Sequence, residues 1–218
     1  MQASQLLRRH SPRVALDIDG TLADVHTPIV EEWNKITGKA FAVSDIDNYN
    51  WKESKLQMPT EEFFRIYEEL WNEKSDRIKP TITEEELLNF VKHFDVDIVT
   101  ARPPGTENGL QKWLRRNFPS LRLRVVVVGH TLDKLKDDYN IIIDDAPSIW
   151  AAFHQNDHLT EGKWLYVPMQ PWNSRTILSM PPSHRMATAD TTANALRLAR
   201  SQHAYEVKNT QKKNAVSA

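Results

Sequence analysis

The chain has 218 residues, which is long enough for one full domain with an insertion. Hydrophobic residues make up 40% of the sequence and charged residues 26%, and these ordinary globular values exclude a wholly disordered or fibrous protein. The 28 basic residues are balanced by 29 acidic ones, so no global positive field would attract nucleic acid, and the absence of cysteine excludes disulfides, thiol catalysis and cysteine-ligated metals.

The sequence also lacks a segment that would direct it to a membrane. No apolar run approaches the length that spans a bilayer, and residues 1–12 lack the apolar core of a secretory signal. Those residues include arginines and no acids, so a transit peptide is the alternative interpretation. We expect a soluble cytoplasmic protein with neither a membrane nor a nucleic-acid polymer as its partner.

Short apolar runs rich in valine and isoleucine are typical of strands that are buried on both faces of a parallel sheet. They predict strands over residues 13–19, 96–100, 124–129, 141–145 and 163–167. Helical patterns lie between them, over residues 29–37, 60–74, 87–93, 107–117 and 147–154. Strands that alternate with helices predict an α/β fold, a parallel sheet flanked by helices with right-handed crossovers.

The interval between Ala23 and Pro80 breaks this alternation, because it contains no run typical of a buried strand. A plain crossover needs far fewer residues, so the interval predicts a small helical subdomain inserted after the first strand. It holds eight aromatic residues, namely Trp33, Phe41, Tyr49, Trp51, Phe63, Phe64, Tyr67 and Trp71.

The chain then divides into a core over residues 1–23 and 81–207, an inserted segment over residues 24–80 and a disordered tail over residues 208–218. The last helix of the core, over residues 190–207, is expected to pack Leu196 and Leu198 on the sheet. The tail is polar and weakly basic, which is typical of a frayed terminus.

The strongest chemical signal is the stretch DIDGTL at residues 17–22, at the end of the first predicted strand. Side chains at positions i and i+2 project from the same side of a strand, so Asp17 and Asp19 place two carboxylates together. In open α/β sheets this end of the strands is where ligands bind. The two charges repel unless a cation or a shared proton intervenes, which suits a nucleophile beside an acid and base with Mg²⁺ nearby. A polar turn without chemistry is the alternative for this stretch alone.

Polar residues end the later strands in the same way. Thr100 ends the second strand with a hydroxyl that could hold a phosphate oxygen, and Lys134 follows the third. Asp144 and Asp145 end the fourth strand. Lys136 is a rival to Lys134, and the spacing to Asp144 favours Lys134.

With these positions the sequence resembles the haloacid dehalogenase-like (HAD) superfamily of phosphohydrolases. Its four motifs match DIDGTL at residues 17–22, the threonine at Thr100, the lysine at Lys134 and the pair Asp144 and Asp145. The aspartate two places after Asp17, which is Asp19, resembles the first motif of the phosphatase branch rather than that of the P-type ATPases.

More narrowly, the chain resembles the 5'(3')-deoxyribonucleotidase-like family over about residues 13–175. The matching features are LDIDGTLAD around Asp17, the Asp133 and Lys134 pair ahead of IIIDDAP, and Pro-Trp-Asn at residues 171–173. One position departs from this pattern, because residues 100–103 are Thr-Ala-Arg-Pro where the best-known members have Thr-Ser-Pro.

The resemblance implies a role for each matching residue. Asp17 would attack phosphorus and form an aspartyl-phosphate, and Asp19 would act as acid and then as base. Thr100 and Lys134 would bind the phosphoryl oxygens. Mg²⁺ would be held by Asp17, by the backbone carbonyl of Asp19 and by Asp144. This agrees with the charges, since a phosphate dianion beside two acids needs a cation between them.

The inserted segment falls where such enzymes carry a cap over the site, and we call residues 24–80 the cap. Most of its aromatic residues are expected to fill its own core, but some could stack on a nucleobase, and Trp51 and Phe64 are the first candidates. Arg102 is a further substrate-binding candidate that would touch a phosphate or sugar, with a surface salt bridge as the alternative.

The sequence therefore predicts a HAD-like phosphomonoesterase that needs Mg²⁺ and hydrolyses a nucleoside 5'-monophosphate. A phosphatase of another small phosphorylated metabolite, such as a sugar phosphate, is the second interpretation. A binding or regulatory protein without catalysis is the third, and the intact set of motifs argues against it. The predicted partner is a small phosphorylated substrate, and the sequence leaves a homodimer open.

Overall fold

The computed structural model describes residues 11–155, 157–180 and 182–216. Its strands are β1 Arg13–Leu16, β2 Ala23–Asp24, β3 Lys79–Pro80, β4 Asp95–Thr100, β5 Arg124–Val127, β6 Ile141–Ile143, β7 Trp164–Pro168 and β8 Met186–Ala189. Six of them form one parallel sheet in the order β5-β4-β1-β6-β7-β8, and β2 and β3 form a separate antiparallel pair. All five predicted strands are present, and β8 is an edge strand that the sequence analysis did not predict.

The helices follow the strands as the alternation predicts. They are α1 His26–Thr37, α2 Thr60–Glu73, α3 Glu84–Val91, α4 Glu107–Asn117, α5 Pro147–Gln155, α6 Asp157–Thr160, α7 Pro171–Ser179 and α8 Thr192–Val216. Helix α1 ends at Gly38, which adopts the left-handed conformation that suits a helix C-terminus. Helix α3 begins with a capping box between Thr83 and Glu86.

The sheet is covered on both faces because side chains alternate along each strand. Val14 and Leu16 of β1 belong to one buried cluster with residues of α4 and α8. Ala15 points the other way, into a cluster with residues of α5 and α7. This two-sided burial explains why the strands are continuous apolar runs.

The register of the central strands determines which residues meet at the carboxyl edge of the sheet. Leu16 lies opposite Ile98 of β4 on one side and opposite Ile143 of β6 on the other. The residues that follow β1 and β6 are Asp17 and Asp144, so the parallel pairing brings these two acids to the same edge of the sheet.

The cap lies between β2 and β3, whose pairing places Ala23 opposite Pro80. Helices α1 and α2 belong to the cap, and α2 packs against α4 of the core. At that contact Gly109 is required, because a Cβ atom there would lie 2.0 Å from the carbonyl oxygen of Trp71. The division into core and cap at residues 24 and 80 stays a prediction.

The end of the chain differs from the sequence-based expectation. Helix α8 continues to Val216, through most of the segment expected to be a tail, since the helix meets no glycine or proline there. Leu196 is buried as expected, but Leu198 is 41% exposed, so its predicted packing on the sheet is wrong. Residues two apart project from nearly opposite sides of a helix, and Leu196 therefore faces the sheet while Leu198 does not.

No helix among the described residues is long and apolar enough to cross a membrane. The segment for which the sequence leaves a transit peptide open, residues 1–12, lies mostly outside the described residues, which begin at residue 11.

Candidate active site

The first two acids follow β1 directly. The backbone N–H of Asp17 donates to the carbonyl of Ile143 at 3.0 Å, which continues the pairing with β6 by one residue. The chain then turns at Gly20, where φ is +83°. A Cβ atom at Gly20 would lie 2.5 Å from Oδ2 of Asp145, so only glycine fits between the turn and the second acidic pair.

Lys134 lies between two of the predicted acids. Its Nζ is 2.6 Å from Oδ1 of Asp17 and 2.6 Å from Oδ2 of Asp144, and all three side chains are buried. Burial alone would lower the pKa of Lys134, but Asp144 and Asp17 outweigh it and raise that pKa, so the ammonium stays charged. The rival Lys136 is exposed and pairs instead with Asp133.

Asp145 is held by donors from two other elements. Oδ1 accepts the hydroxyl of Thr21 at 3.0 Å, and Oδ2 accepts the indole N–H of Trp172 at 2.7 Å. Asn173 donates its side-chain amide to the Asp145 carbonyl at 3.0 Å. The Pro-Trp-Asn stretch, which the sequence analysis used only as a family marker, therefore fixes the second acid of the pair.

Asp17, Asp144 and Asp145 form a buried carboxylate cluster whose candidate ligand atoms all lie within 4.8 Å of one another. Burial, with Asp144 and Asp19, raises the pKa of Asp17 to about 7 although Lys134 acts in the opposite direction. Burial and the charges of Asp17 and Asp144 also raise the pKa of Asp145 well above its usual value. Like charges held together out of water produce these shifts.

The cluster fits a hard divalent cation. Three carboxylates face one ammonium, that of Lys134, so full ionisation leaves two negative charges to be balanced. Carboxylate oxygens are the ligands that Mg²⁺ prefers. The side chain of Asp19 is not part of this cluster, and the predicted contribution of its backbone carbonyl remains an expectation.

The Asp19 carboxylate turns toward the cap instead. Its Oδ2 accepts the hydroxyl of Tyr67 at 2.8 Å and Nη2 of Arg102 at 2.8 Å, while Oδ1 accepts the indole N–H of Trp71 at 3.2 Å. Thr100 donates to Oδ2 at a longer 3.5 Å. Burial and the charge of Asp19 raise the pKa of Tyr67 well above its usual value, so the phenol keeps its proton and remains a donor.

Arg102 is not on the surface, so the surface salt bridge that the sequence left open is excluded. Its side chain is fully buried, pairs with Asp19, and lies with its guanidinium carbon 4.5 Å from the centre of the Trp71 ring. Its Nε donates to the hydroxyl of Thr100 at 3.4 Å. Nη1 is buried and, among the described residues, has no hydrogen-bond partner.

A cleft of about 310 Å³ lies between the cap and this edge of the sheet and reaches Asp19 and Asp145. Both predicted stacking residues line it, Phe64 with 42% of its surface exposed and Trp51 with only 8%. Because Trp51 is so buried, Phe64 has the more accessible ring.

His26 lines the same cleft and was missed by the sequence analysis, since a single histidine after the first motif carries no pattern. Its ring lies between two tryptophans, 3.8 Å from the centre of Trp172 and 5.6 Å from that of Trp51. Burial lowers the pKa of His26 to about 4, so the ring is neutral at physiological pH. It offers the cleft a polar edge without a charge.

The structure therefore brings the predicted residues together in three groups. One group consists of Asp17, Lys134 and Asp144, and the second of Asp19, Thr100 and Arg102. The third group, Trp51 and Phe64, lies on the cap side of the cleft.

The solved structures that are similar to the chain include three hydrolases. A haloacid dehalogenase-like hydrolase from Burkholderia xenovorans LB400 is 16% identical, with a TM-score of 0.56 over 86% of this chain and 96% of the other. A hydrolase from Pseudomonas syringae is 15% identical, with a TM-score of 0.52 over 88% and 99% of the two chains. A haloacid dehalogenase-like family hydrolase from Xanthomonas campestris is 13% identical, with a TM-score of 0.51 over 91% and 98%.

No protein-family model matches the sequence, and the search of curated proteins also finds no match. The structural likeness nevertheless extends over most of both chains in every case. The chain therefore has the HAD-like α/β fold, with cap-like helices after β1.

Proposed function

We propose that this protein is a Mg²⁺-dependent phosphomonoesterase that acts through an aspartyl-phosphate on Asp17. The observation that carries the proposal is the buried contact of Lys134 with both Asp17 and Asp144, at 2.6 Å each, at the carboxyl edge of a parallel sheet. A nucleophile, a cation and a further carboxylate in one buried place are the parts that phosphoryl transfer needs.

The contacts of Asp17 suggest how it would act. Lys134 binds Oδ1, whereas Oδ2 accepts no hydrogen bond from any described residue and is the oxygen free to attack phosphorus. Lys134 and the Thr100 hydroxyl would bind the phosphoryl oxygens. Bound to the carboxylate cluster, Mg²⁺ would supply the positive charge that offsets the transferring group.

For the substrate we propose a nucleoside 5'-monophosphate. The cleft beside Asp19 has an aromatic cap side that includes Trp51, Phe63 and Phe64, and such faces bind nucleobases by stacking. The neutral edge of His26 would contact a polar group of the base or sugar.

A sugar phosphate is the second candidate. Asn50, Lys52 and Thr60 line the same cleft, and their polar groups could bind sugar hydroxyls in place of a base. The two candidates share the phosphate site and differ only in what occupies the cap side of the cleft.

A panel of phosphate esters tests the proposal. With Mg²⁺ present, we expect turnover of p-nitrophenyl phosphate and a higher kcat/KM for at least one nucleoside monophosphate than for any sugar phosphate, and chelation of Mg²⁺ should stop both reactions. A preference for sugar phosphates would favour the second candidate. If no ester is turned over, the proposed enzymatic activity is contradicted, and the interpretation that remains is a binding or regulatory protein without catalysis.

Removing a stacking ring should separate recognition from chemistry. Because Phe64 is half-exposed and lines the cleft, Phe64→Ala should raise KM for the preferred nucleotide by a factor equivalent to about 1–3 kcal/mol of binding. The same variant should barely affect p-nitrophenyl phosphate, which has no base. Trp51→Ala should act in the same direction, with some loss of stability because that ring is buried.

Phe41→Ala is the matched control, because Phe41 is a cap aromatic residue that does not line the cleft. It should leave both substrates unaffected. Equal losses on both substrates in Phe64→Ala and Trp51→Ala would argue against stacking and for the sugar-phosphate candidate.

A further inference from the structure

The two oxygens of the Asp19 carboxylate differ in how many donors they meet. Oδ2 accepts Tyr67, Arg102 and, at longer distance, Thr100, whereas Trp71 is the only described residue that donates to Oδ1. A carboxylate oxygen offers about two lone-pair directions, so Oδ2 is filled and Oδ1 has one left. About 20% of the side chain is exposed, and Asp19 lines the cleft. Oδ1 is therefore the oxygen available to a substrate.

The donors from the cap form a rigid unit. Tyr67 and Trp71 are one turn apart on α2, and both are buried. Trp71 also packs against Trp113 of α4, with ring centres 6.0 Å apart, and supports the guanidinium of Arg102 on its face. Side chains locked in this way hold a reacting group in one orientation, which strongly affects reaction rates.

We propose that Tyr67 and Trp71 of the cap are positioning residues that hold Asp19 with Oδ1 toward the leaving group. This inference rests on the proposed phosphatase activity and names the residues that orient its general acid, Asp19. Tyr67 and Trp71 then serve as hydrogen-bond donors to the core, a role distinct from stacking on a base.

In the first step an oxygen of Asp17 forms a bond to phosphorus while the bond between phosphorus and the leaving oxygen breaks. The leaving oxygen takes a proton from Oδ1 of Asp19. Asp19, now a carboxylate, takes a proton from the water that attacks the aspartyl-phosphate. Inorganic phosphate leaves, and Asp17 is free again.

The test compares two esters of similar shape. A p-nitrophenolate leaves without a proton, whereas phenolate from phenyl phosphate is a poorer leaving group and depends more on the acid. Tyr67→Phe removes one donor to Asp19 with almost no change in volume. We expect its kcat/KM for phenyl phosphate to fall about 10-fold or more, and that for p-nitrophenyl phosphate to change about 2-fold or less.

Tyr139→Phe is the matched control. Tyr139 is also buried and also donates to a carboxylate, Oδ2 of Asp97 at 2.9 Å, but this pair is not part of the site. Its removal should cost similar stability and leave the ratio of the two esters unchanged. A uniform loss of both esters in Tyr67→Phe would make the contact a tether for the cap and overturn the proposal.

The second measurement uses variants of a protein from which the general acid, the Asp19 carboxyl group, has been removed. In an Asp19→Asn background, Tyr67→Phe and Trp71→Phe should have no further effect on the ratio of the two esters, because both act through Asp19. A further selective loss there would overturn the proposal. If the wild-type protein hydrolyses neither ester, the proposed function itself fails, which is a different outcome from a uniform loss in an active enzyme.

Discussion

Replacing Asp17 with asparagine is expected to abolish phosphoester hydrolysis at every pH and every Mg²⁺ concentration. An amide cannot form the aspartyl-phosphate, and loss of the nucleophile in enzymes with covalent intermediates lowers kcat by several powers of ten, here on the order of 10⁴-fold or more. Asparagine keeps the shape and an oxygen that can accept from Lys134, so the fold should survive. Turnover of p-nitrophenyl phosphate measures the loss of activity, and thermal unfolding measures separately whether the fold survives.

Asp19→Asn provides the contrast to that variant. It leaves the nucleophile in place, so some aspartyl-phosphate should still form from p-nitrophenyl phosphate, whose leaving group needs no proton. An unstable or unfolded Asp17→Asn would leave the loss of activity ambiguous, and Asp19→Asn controls for the removal of a partly buried charge nearby. Robust activity in a folded Asp17→Asn protein would assign the nucleophile to another residue.

The gathering of the acids could be predicted from the sequence because it depends on only two regularities. Buried strands are visible as apolar runs, and the carboxyl ends of parallel strands share one edge. Asp17, Lys134 and Asp144 each follow such a run, and the observed register brings them together. The spacing to Asp144 already favoured Lys134 over Lys136, although both follow the same strand at positions that alternation allows, and in the structure Lys134 is the one that contacts Asp17 and Asp144.

The partners of Asp19 could not be predicted in this way. Tyr67, Trp71 and Arg102 lie 48, 52 and 83 positions from Asp19, and the docking of α2 on the core decides which of them reach it. The helical pattern of α2 predicts a buried face, but it does not say what that face meets. The aromatic residues of the cap were consequently interpreted as packing or stacking groups only.

Two further features, an edge strand and a histidine of the cleft, could not be predicted from the sequence pattern. Strand β8, Met186–Ala189, has three polar or small residues among four and, in the described part of the chain, only one neighbouring strand, so no apolar run marks it. His26 likewise depends on tertiary contacts, since the rings of Trp51 and Trp172 enclose it from distant parts of the chain. Both features arise only once the sheet and cap are assembled.

Replacing Lys134 with methionine is expected to damage both stability and activity. The ammonium is buried between Asp17 and Asp144, and removing one partner of a buried charge pair typically costs about 3–5 kcal/mol of unfolding free energy. The pKa of Asp17 is already raised to about 7, above its usual value, and loss of Lys134 removes a cation that opposes this rise. A carboxyl whose pKa is raised by folding destabilises the fold as the pH rises, so the loss should be smaller near about pH 5 than near about pH 8.

Lys136→Met is the matched control, two positions along the chain. Lys136 is exposed and pairs with Asp133 at the surface, where such pairs contribute about 0–1 kcal/mol. Its loss should therefore leave the unfolding free energy and the turnover of p-nitrophenyl phosphate nearly unchanged at every pH. Chemical denaturation of both variants across this pH range distinguishes the two lysines, and a larger effect for Lys136→Met than for Lys134→Met would reverse the assignment of the phosphate-binding residue. A loss in Lys134→Met that did not depend on pH would instead show that the side chain contributes packing rather than charge.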